Sequence, residues 1–198
     1  MQALQNYKIT AASVNEAEDL AKLIDIAGEG IPAWLWSRSA SNDKSVLGVG
    51  IERARRESGG FSYRNARIAF AREATLGMVL SYPIDTAPED DPDDLPAAIA
   101  PFVALEQLSV GTWYINALAV FPRYRGSGIG TTLLHAAEKQ AQAAGYVQMS
   151  IQVYAQNSGA VRLYSRLGYV EDAHSPVRDH PCQPYYTGDV LMLKKQIS

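Results

Sequence analysis

Three glycines within five residues, Gly126, Gly128 and Gly130, are the strongest chemical signal in this 198-residue sequence. They sit between an apolar run ending at Val120 and a helical pattern beginning at Ile129. Glycines there let the backbone turn sharply and bring unobstructed N–H groups to an anion at a helix N-terminus. Phosphate binding is the chemistry this suits; a tight strand–helix turn with no ligand is the plain alternative. From Gly126 the pattern is G-x-G-x-G followed by Thr131, not the G-x-G-x-x-G of a dinucleotide fold. Nor does a Lys-Ser or Lys-Thr follow to make a nucleoside triphosphate loop. The spacing present is R-x-x-G-x-G, carried by Arg125, Gly128 and Gly130. Other reactive groups are sparse. The one cysteine, Cys182, has no matched His–Asn signature, so it reads as a loop residue rather than a nucleophile. His135, His174 and His180 are scattered without metal-ligand spacing, and no metal is expected.

The elements that must position this turn can be read in chain order. Residues 7–11 form a short strand pattern, and Ser13 with Glu16 makes the S-x-x-E signature of a helix start. Ala17, Leu20, Ala21, Leu23, Ile24 and Ala27 then recur at helical spacing and stop at Gly28. A second helix is expected from about Lys44 to Glu57, so two helices precede the main sheet, joined by a loop with the aromatic run 31–36. Arg67–Arg72 and Leu76–Tyr82 read as a hairpin, which Pro83 interrupts. Residues 83–96, rich in proline and acids, read as a solvated loop, with a short helix over 97–108; together they form an acidic insertion. Thr112–Val120 reads as a strand buried on both faces. After the glycine turn, Ile129, Leu133, Ala137 and Ala141 step by four along one helix face that ends at Gly145. A strand over 147–154, a helix over 157–167 and a closing strand over 189–194 follow. This alternation predicts an α/β fold with a central mixed sheet flanked by helices.

Composition bounds the class. With 198 residues and 47% hydrophobic content the chain can bury a full core as one domain over 1–198 without disulfide or metal staples. The net charge of −3 offers no general attraction to nucleic acid or anionic lipid. That sum hides an acidic stretch: between Glu73 and Pro122 there is no Lys or Arg, but there are Glu73, Asp85, Glu89, Asp90, Asp91, Asp93, Asp94 and Glu106. No apolar run approaches the roughly 20 residues needed to span a bilayer, so no membrane role is expected. A lone cysteine and an amino terminus without the apolar run of a secretory signal make the cytoplasm the expected location.

Two motifs carry a family resemblance. Leu118-Ala-Val-Phe-Pro122 leads into R-x-x-G-x-G, and downstream Asn157-Ser-Gly-Ala160, Leu163-Tyr164 and Leu167-Gly168-Tyr169 fit N-x-x-A-x-x-L-Y-x-x-x-G-[FY]. Over about 112–170 the chain resembles the GNAT superfamily of acyl-CoA-dependent N-acetyltransferases. The resemblance implies a GNAT-like fold and acetyl-CoA as acyl donor. Backbone groups of Leu118, Ala119 and Val120 would pair with the pantetheine arm, and an N–H near Leu118 would polarise the thioester carbonyl. Arg125, Gly126, Ser127, Gly128, Ile129 and Gly130 would hold the pyrophosphate. Asn157 would contact the pantetheine region, with a helix N-cap as its structural alternative. Tyr164 would be the general acid for the departing thiolate, with packing against the cofactor as its alternative.

The proton to be lost by the acceptor is less well provided for. An amine with a pKa near 10.4 is almost wholly protonated at neutral pH and must be deprotonated before it attacks. Family members often place a carboxylate on the strand before the turn; this sequence has Asn116 there. Glu106, Tyr114, His174 and His180 are the other candidates, and proton removal through ordered water is the remaining route. The resemblance puts the acceptor between 28–41 and about 173–187, where Trp34, Trp36, Tyr185 and Tyr186 would supply aromatic walls and the acidic segment a potential that favours a cationic amine; core aromatics and a disordered, solvated acidic loop are the plain alternatives. A small-molecule amine is the expected acceptor, and a homodimer is admitted. Two other readings stay open: a protein acetyltransferase acting on an N-terminus or lysine, and a CoA-binding regulatory module without turnover.

Overall fold

The computed structural model describes residues 6–87 and 95–197; five of the acids in the acidic stretch, Glu89, Asp90, Asp91, Asp93 and Asp94, lie outside the described residues. The fold is mixed α/β, as expected, with helices flanking a seven-stranded sheet in the order β1-β2-β3-β4-β5-β7-β6. Its strands are β1 (Lys8–Ala11), β2 (Ala66–Ala71), β3 (Ala74–Ile84), β4 (Thr112–Val120), β5 (Gln148–Tyr154), β6 (Val170–Pro176) and β7 (Asp189–Gln196). The helices are α1 (Ala17–Ala27), α2 (Ile31–Ser37), α3 (Val46–Ala54), α4 (Ala100–Glu106), α5 (Ile129–Ala143) and α6 (Ser158–Arg166). The residues gather into two compact units, Met1–Ser81 with Asn116–Ala137 and Tyr82–Ile115 with Glu138–Ser198.

In the first unit the capping box expected at Ser13 and Glu16 closes a short 3-10 turn, Val14–Glu16, that leads directly into α1; Glu16 Oε2 accepts the Ser13 N–H at 2.7 Å. The chain does not then loop to α3, as expected, but forms a further helix, α2. Gly30, with φ 95°, turns it back, Pro32 sits in the first turn where its missing N–H costs nothing, and Asp25 Oδ1 accepts the Ala33 N–H at 2.9 Å. Three helices therefore precede β2. Leu20, Leu23 and Ile24 of α1 pack with Ile68 of β2, Met78 of β3 and Ala119 of β4 in one apolar core. The β2–β3 hairpin turns at Arg72 and Glu73, whose φ values of 50° and 63° give a tight two-residue connection whose twist suits the strands.

Pro83 does not end β3, which runs on to Ile84. The register with β2 stops at Leu80 opposite Ala66, so Pro83 lies past the stretch where that neighbour would need its N–H.

In the second unit β4 pairs in parallel with β5 from Trp113 opposite Met149 to Ile115 opposite Ile151, while β7 pairs antiparallel with both β5 and β6. Strand β6 is an addition to the strands that the sequence pattern marks. It lies at the end of the sheet order, largely exposed, and so lacks the apolar alternation that marks a half-buried strand. Thr112 and Ser150, both buried, satisfy each other across β4 and β5 at 2.6 Å. The expected short helix over 97–108 appears as α4.

Candidate functional site

In the first unit, β4 changes character at Asn116. Residues 112–115 are buried on both faces as expected, but from Asn116 the strand alternates. Ala117 and Ala119 are buried, whereas Asn116 is exposed and Leu118 and Val120 are half-open. An apolar strand face left partly uncovered is suited to a ligand surface. The neighbouring strand holds this segment closely: a Cβ on Gly77 of β3 would lie 2.6 Å from Ala119 O and 3.0 Å from Val120 Cα. A glycine inside a strand, such as Gly77 within Leu76–Tyr82, is the sequence sign of such an approach.

Phe121 N–H donates to Leu76 O at 3.0 Å, and a single short helical turn, Pro122–Tyr124, leads into the glycines. Gly126 and Gly128 have φ values of 74° and 81°, a region other residues enter only at a cost, and the space where their Cβ atoms would stand is open. Ser127 Oγ donates back to Tyr124 O at 2.5 Å, and Arg125 Nε donates to Val120 O at 3.0 Å, so the guanidinium is fixed at the end of β4. The first bond closing a full turn of α5 runs from Thr132 N–H to Gly128 O at 3.1 Å. The amides of Ile129, Gly130 and Thr131 are thus the ones a helix leaves without an intrahelical acceptor. Ile129, Leu133, Ala137 and Ala141 are buried, so the foreseen face anchors the helix and leaves its N-terminus at the turn. Tyr7 Oη shares a 2.8 Å hydrogen bond with Thr132 Oγ1, a contact across 125 residues that no local pattern announces.

In the second unit, Asn157 is the N-cap of α6: its Oδ1 accepts the Ala160 N–H at 3.2 Å. This N-cap is the structural alternative to a pantetheine contact. Tyr164, on the same helix, is buried at 5% exposure and meets Tyr169 edge-on with centroids 5.9 Å apart. Burial, followed by the charge of Glu138 and the Tyr164 phenol, pushes the Tyr169 phenol above its ordinary range.

The candidate bases are dispersed. Tyr114 is buried against Tyr82, and burial first, then the charge of Glu106, raises its phenol well above the usual value, so it stays neutral and is unsuited to taking a proton. His174 shares a hydrogen bond with Glu171 on exposed β6, and His180 Nδ1 accepts the Cys182 N–H. Cys182 lies half-buried in a loop, where burial raises its thiol. Of the aromatic walls, Trp36 is a core residue, 3% exposed, stacked on Phe61 with its ring against Gly50. Trp34 is half-buried with Arg38 over its ring, and Tyr186 is 53% exposed. A cavity of about 490 Å³ in the first unit is bordered by Asp25, Ala33, Trp36, Val46, Leu47 and Phe121 among others. No group of three or more potential metal ligands occurs among the described residues.

Solved structures share this architecture. An acetyltransferase crystal structure aligns over 96% of this chain and 100% of its own with a TM-score of 0.65 at 17% identity. An N-acetyltransferase from Staphylococcus aureus Mu50 aligns over 94% and 99% with a TM-score of 0.61 at 20% identity. The PaiA N-acetyltransferase from Thermoplasma acidophilum, in complex with coenzyme A, aligns over 97% and 99% with a TM-score of 0.54 at 18% identity. At these identities the likeness is one of fold. No curated protein matches the chain. The sequence pattern of the acetyltransferase (GNAT) family, however, matches residues 52–169, from the end of α3 through the glycine turn to Tyr169. With more than half of its length matched, the chain belongs to the GNAT family of acetyltransferases, the acyl-CoA N-acyltransferases.

Proposed function

We propose that this protein transfers an acetyl group from acetyl-CoA directly to the amine of a small molecule, as a single domain over residues 1–198. Strands β3 and β4 and helix α5 each begin in one compact unit and end in the other, which supports one domain. The observation that carries the function is the junction of β4 and α5: open glycines at positive φ directly before the unpaired amides of a 15-residue helix. A Cβ at Gly126 or Gly128 would stand in free space, so the turn has room for phosphate oxygens, and the amides supply the donors. The residues present therefore fit the pyrophosphate of CoA.

Arg125, Gly126, Ser127, Gly128, Ile129 and Gly130 hold that group, mainly through backbone N–H. Leu118, Ala119 and Val120 offer strand edges to the pantetheine arm, consistent with a β4–β5 ladder that covers only Trp113–Ile115 of the nine-residue β4. When bound, acetyl-CoA supplies an activated acyl group with a thiolate leaving group. An amide near Leu118 polarises the carbonyl, and Tyr164 Oη holds the proton the departing sulfur needs. Asn157 caps α6 and thereby sets the helix that carries Tyr164. With Asn116 unable to act as a base, the acceptor's proton leaves through ordered water. The acceptor side is formed by 28–41 and 173–187, with Trp34, Tyr185 and Tyr186 as its aromatic groups, and the cytoplasm is the site of action. No described helix is long and apolar enough to cross a membrane.

The test is thiol release from acetyl-CoA across small amines, amino acids and peptides, with Cys182→Ser as the background control. Turnover confined to small amines is expected. Turnover on peptides alone would replace the acceptor class, and CoA binding without turnover on any acceptor would replace the enzyme by a CoA-binding module.

A further inference from the structure

Residues 177–188, which join β6 to β7, form a loop closed at its base. Val177 N–H donates to Gly188 O at 2.8 Å, and Gln156, in the turn after β5, donates through Nε2 to Thr187 O. Most of the loop is exposed or half-buried, but Gln183 is only 4% exposed. Its Oε1 accepts the Tyr154 hydroxyl at 2.9 Å, its Nε2 donates to Arg178 O at 2.5 Å, and its backbone N–H donates to His180 O at 3.3 Å. Tyr154 is itself well fixed. It is buried at the end of β5, its carbonyl accepts the Asn157 N–H at 2.9 Å, and its ring meets Phe102 edge-on at 5.2 Å and Tyr185 at 4.9 Å.

A buried amide side chain is costly unless its donors and acceptors are met, so a loop that sinks one is held in the arrangement that meets them. Gln183 spans the loop's interior in this way, one end on the loop's own backbone and the other on the strand beside the α6 cap. We propose that Gln183 is a positioning residue for the acceptor: its two side-chain hydrogen bonds hold the 177–188 loop, with Tyr185 and Tyr186, in the geometry that receives the amine. The inference rests on the proposed reading of 173–187 as part of the acceptor side.

Cys182, the chain's one cysteine, adjoins Gln183 and is half-buried, which makes it a built-in reporter of the loop. In Gln183→Leu, labelling of Cys182 by a small aromatic disulfide should speed up about tenfold, since access and thiolate fraction govern the rate. In the same variant the acceptor KM should rise about tenfold while kcat and the acetyl-CoA KM stay within about twofold, a pattern that general loosening would not produce. Tyr154→Phe removes one hydroxyl and keeps the ring; it should show a smaller form of both effects and add little when combined with Gln183→Leu, because both changes break the same bond. Should Gln183→Leu not fold, Tyr154→Phe carries both readouts. Unchanged labelling in Gln183→Leu overturns the strut. Faster labelling with an unchanged acceptor KM, or with an acetyl-CoA KM raised equally, overturns the role in acceptor binding. These outcomes require a wild type that acetylates an amine; a wild type with no turnover removes the proposed function itself and the acceptor role with it.

Discussion

The turn at 125–130 and the loop at 177–188 solve the same problem, holding a non-regular segment still, by opposite means. The turn is built in backbone: positive φ at Gly126 and Gly128, a hydroxyl folded back from Ser127, and the first turn of a helix anchored by its buried face. The loop is built in side chains, Gln183 and Gln156, that reach partners on or beside the loop. Backbone construction makes the amide donors of the turn independent of side-chain identity except where glycine is required. Side-chain construction makes 177–188 depend on single residues, so under the proposed function a change of acceptor there leaves the glycine turn undisturbed.

This contrast can be broken at several points. The largest effect is expected at neither segment but at the group proposed to protonate the departing thiolate. Tyr164→Phe should lower kcat by about 10² to 10⁴ while leaving the acetyl-CoA KM within a few-fold, measured by thiol release, because a positioned proton donor contributes on that scale. An unaltered kcat would return Tyr164 to a packing role.

Gly128→Val should raise the acetyl-CoA KM by roughly tenfold or more with a smaller change in thermal stability. The Cβ meets nothing in the protein, so the main penalties are the left-handed conformation, about 1–2 kcal/mol, and obstruction of the ligand. A large loss of stability with unchanged KM would show the turn to be structural only.

Gly77→Ala tests the strand that braces β4. Its Cβ would stand 2.6 Å from Ala119 O, backbone that cannot swing aside, so a loss of about 1–3 kcal/mol is expected, readable as a lowered denaturation midpoint. A neutral outcome would mean that β3 and β4 separate readily.

The smallest effect is on alkaline stability. Burial first, followed by neighbouring acidic groups, raises the Tyr114 and Tyr169 phenols in the folded state. A raised folded-state value contributes stability that is complete below the unfolded value of about 10 and is lost as pH climbs above it, at up to about 1.4 kcal/mol per pH unit per group. The melting temperature should therefore fall above about pH 10, and Tyr169→Phe should flatten that fall relative to its own neutral-pH value. Both phenols belong to the second unit, so hydrogen exchange at high pH should quicken there before it does in the first.

Local chemistry is what could be read directly from the residues. The Ser13–Glu16 box, the apolar steps of α1 and α5, the β2–β3 hairpin and the glycine turn all depend on neighbours within a few positions, and each is present, although the hairpin turns at Arg72 and Glu73 and its second strand runs through Pro83 to Ile84. The family followed from two such local motifs. Tertiary packing decided the rest. α2 exists because Gly30 turns the chain back and Asp25 caps it from eight residues away. Trp36 is packed into the core because α3 offers Gly50 to its ring. β6 is a strand because β7 pairs with it, despite a weak pattern of its own. The support of the loop at Gln183, like that of α5 at Tyr7, arises between residues 29 and 125 positions apart. Hydrogen bonds and burial act through space, and a periodicity read along the chain carries no information about which distant groups the fold will bring within 3 Å of each other.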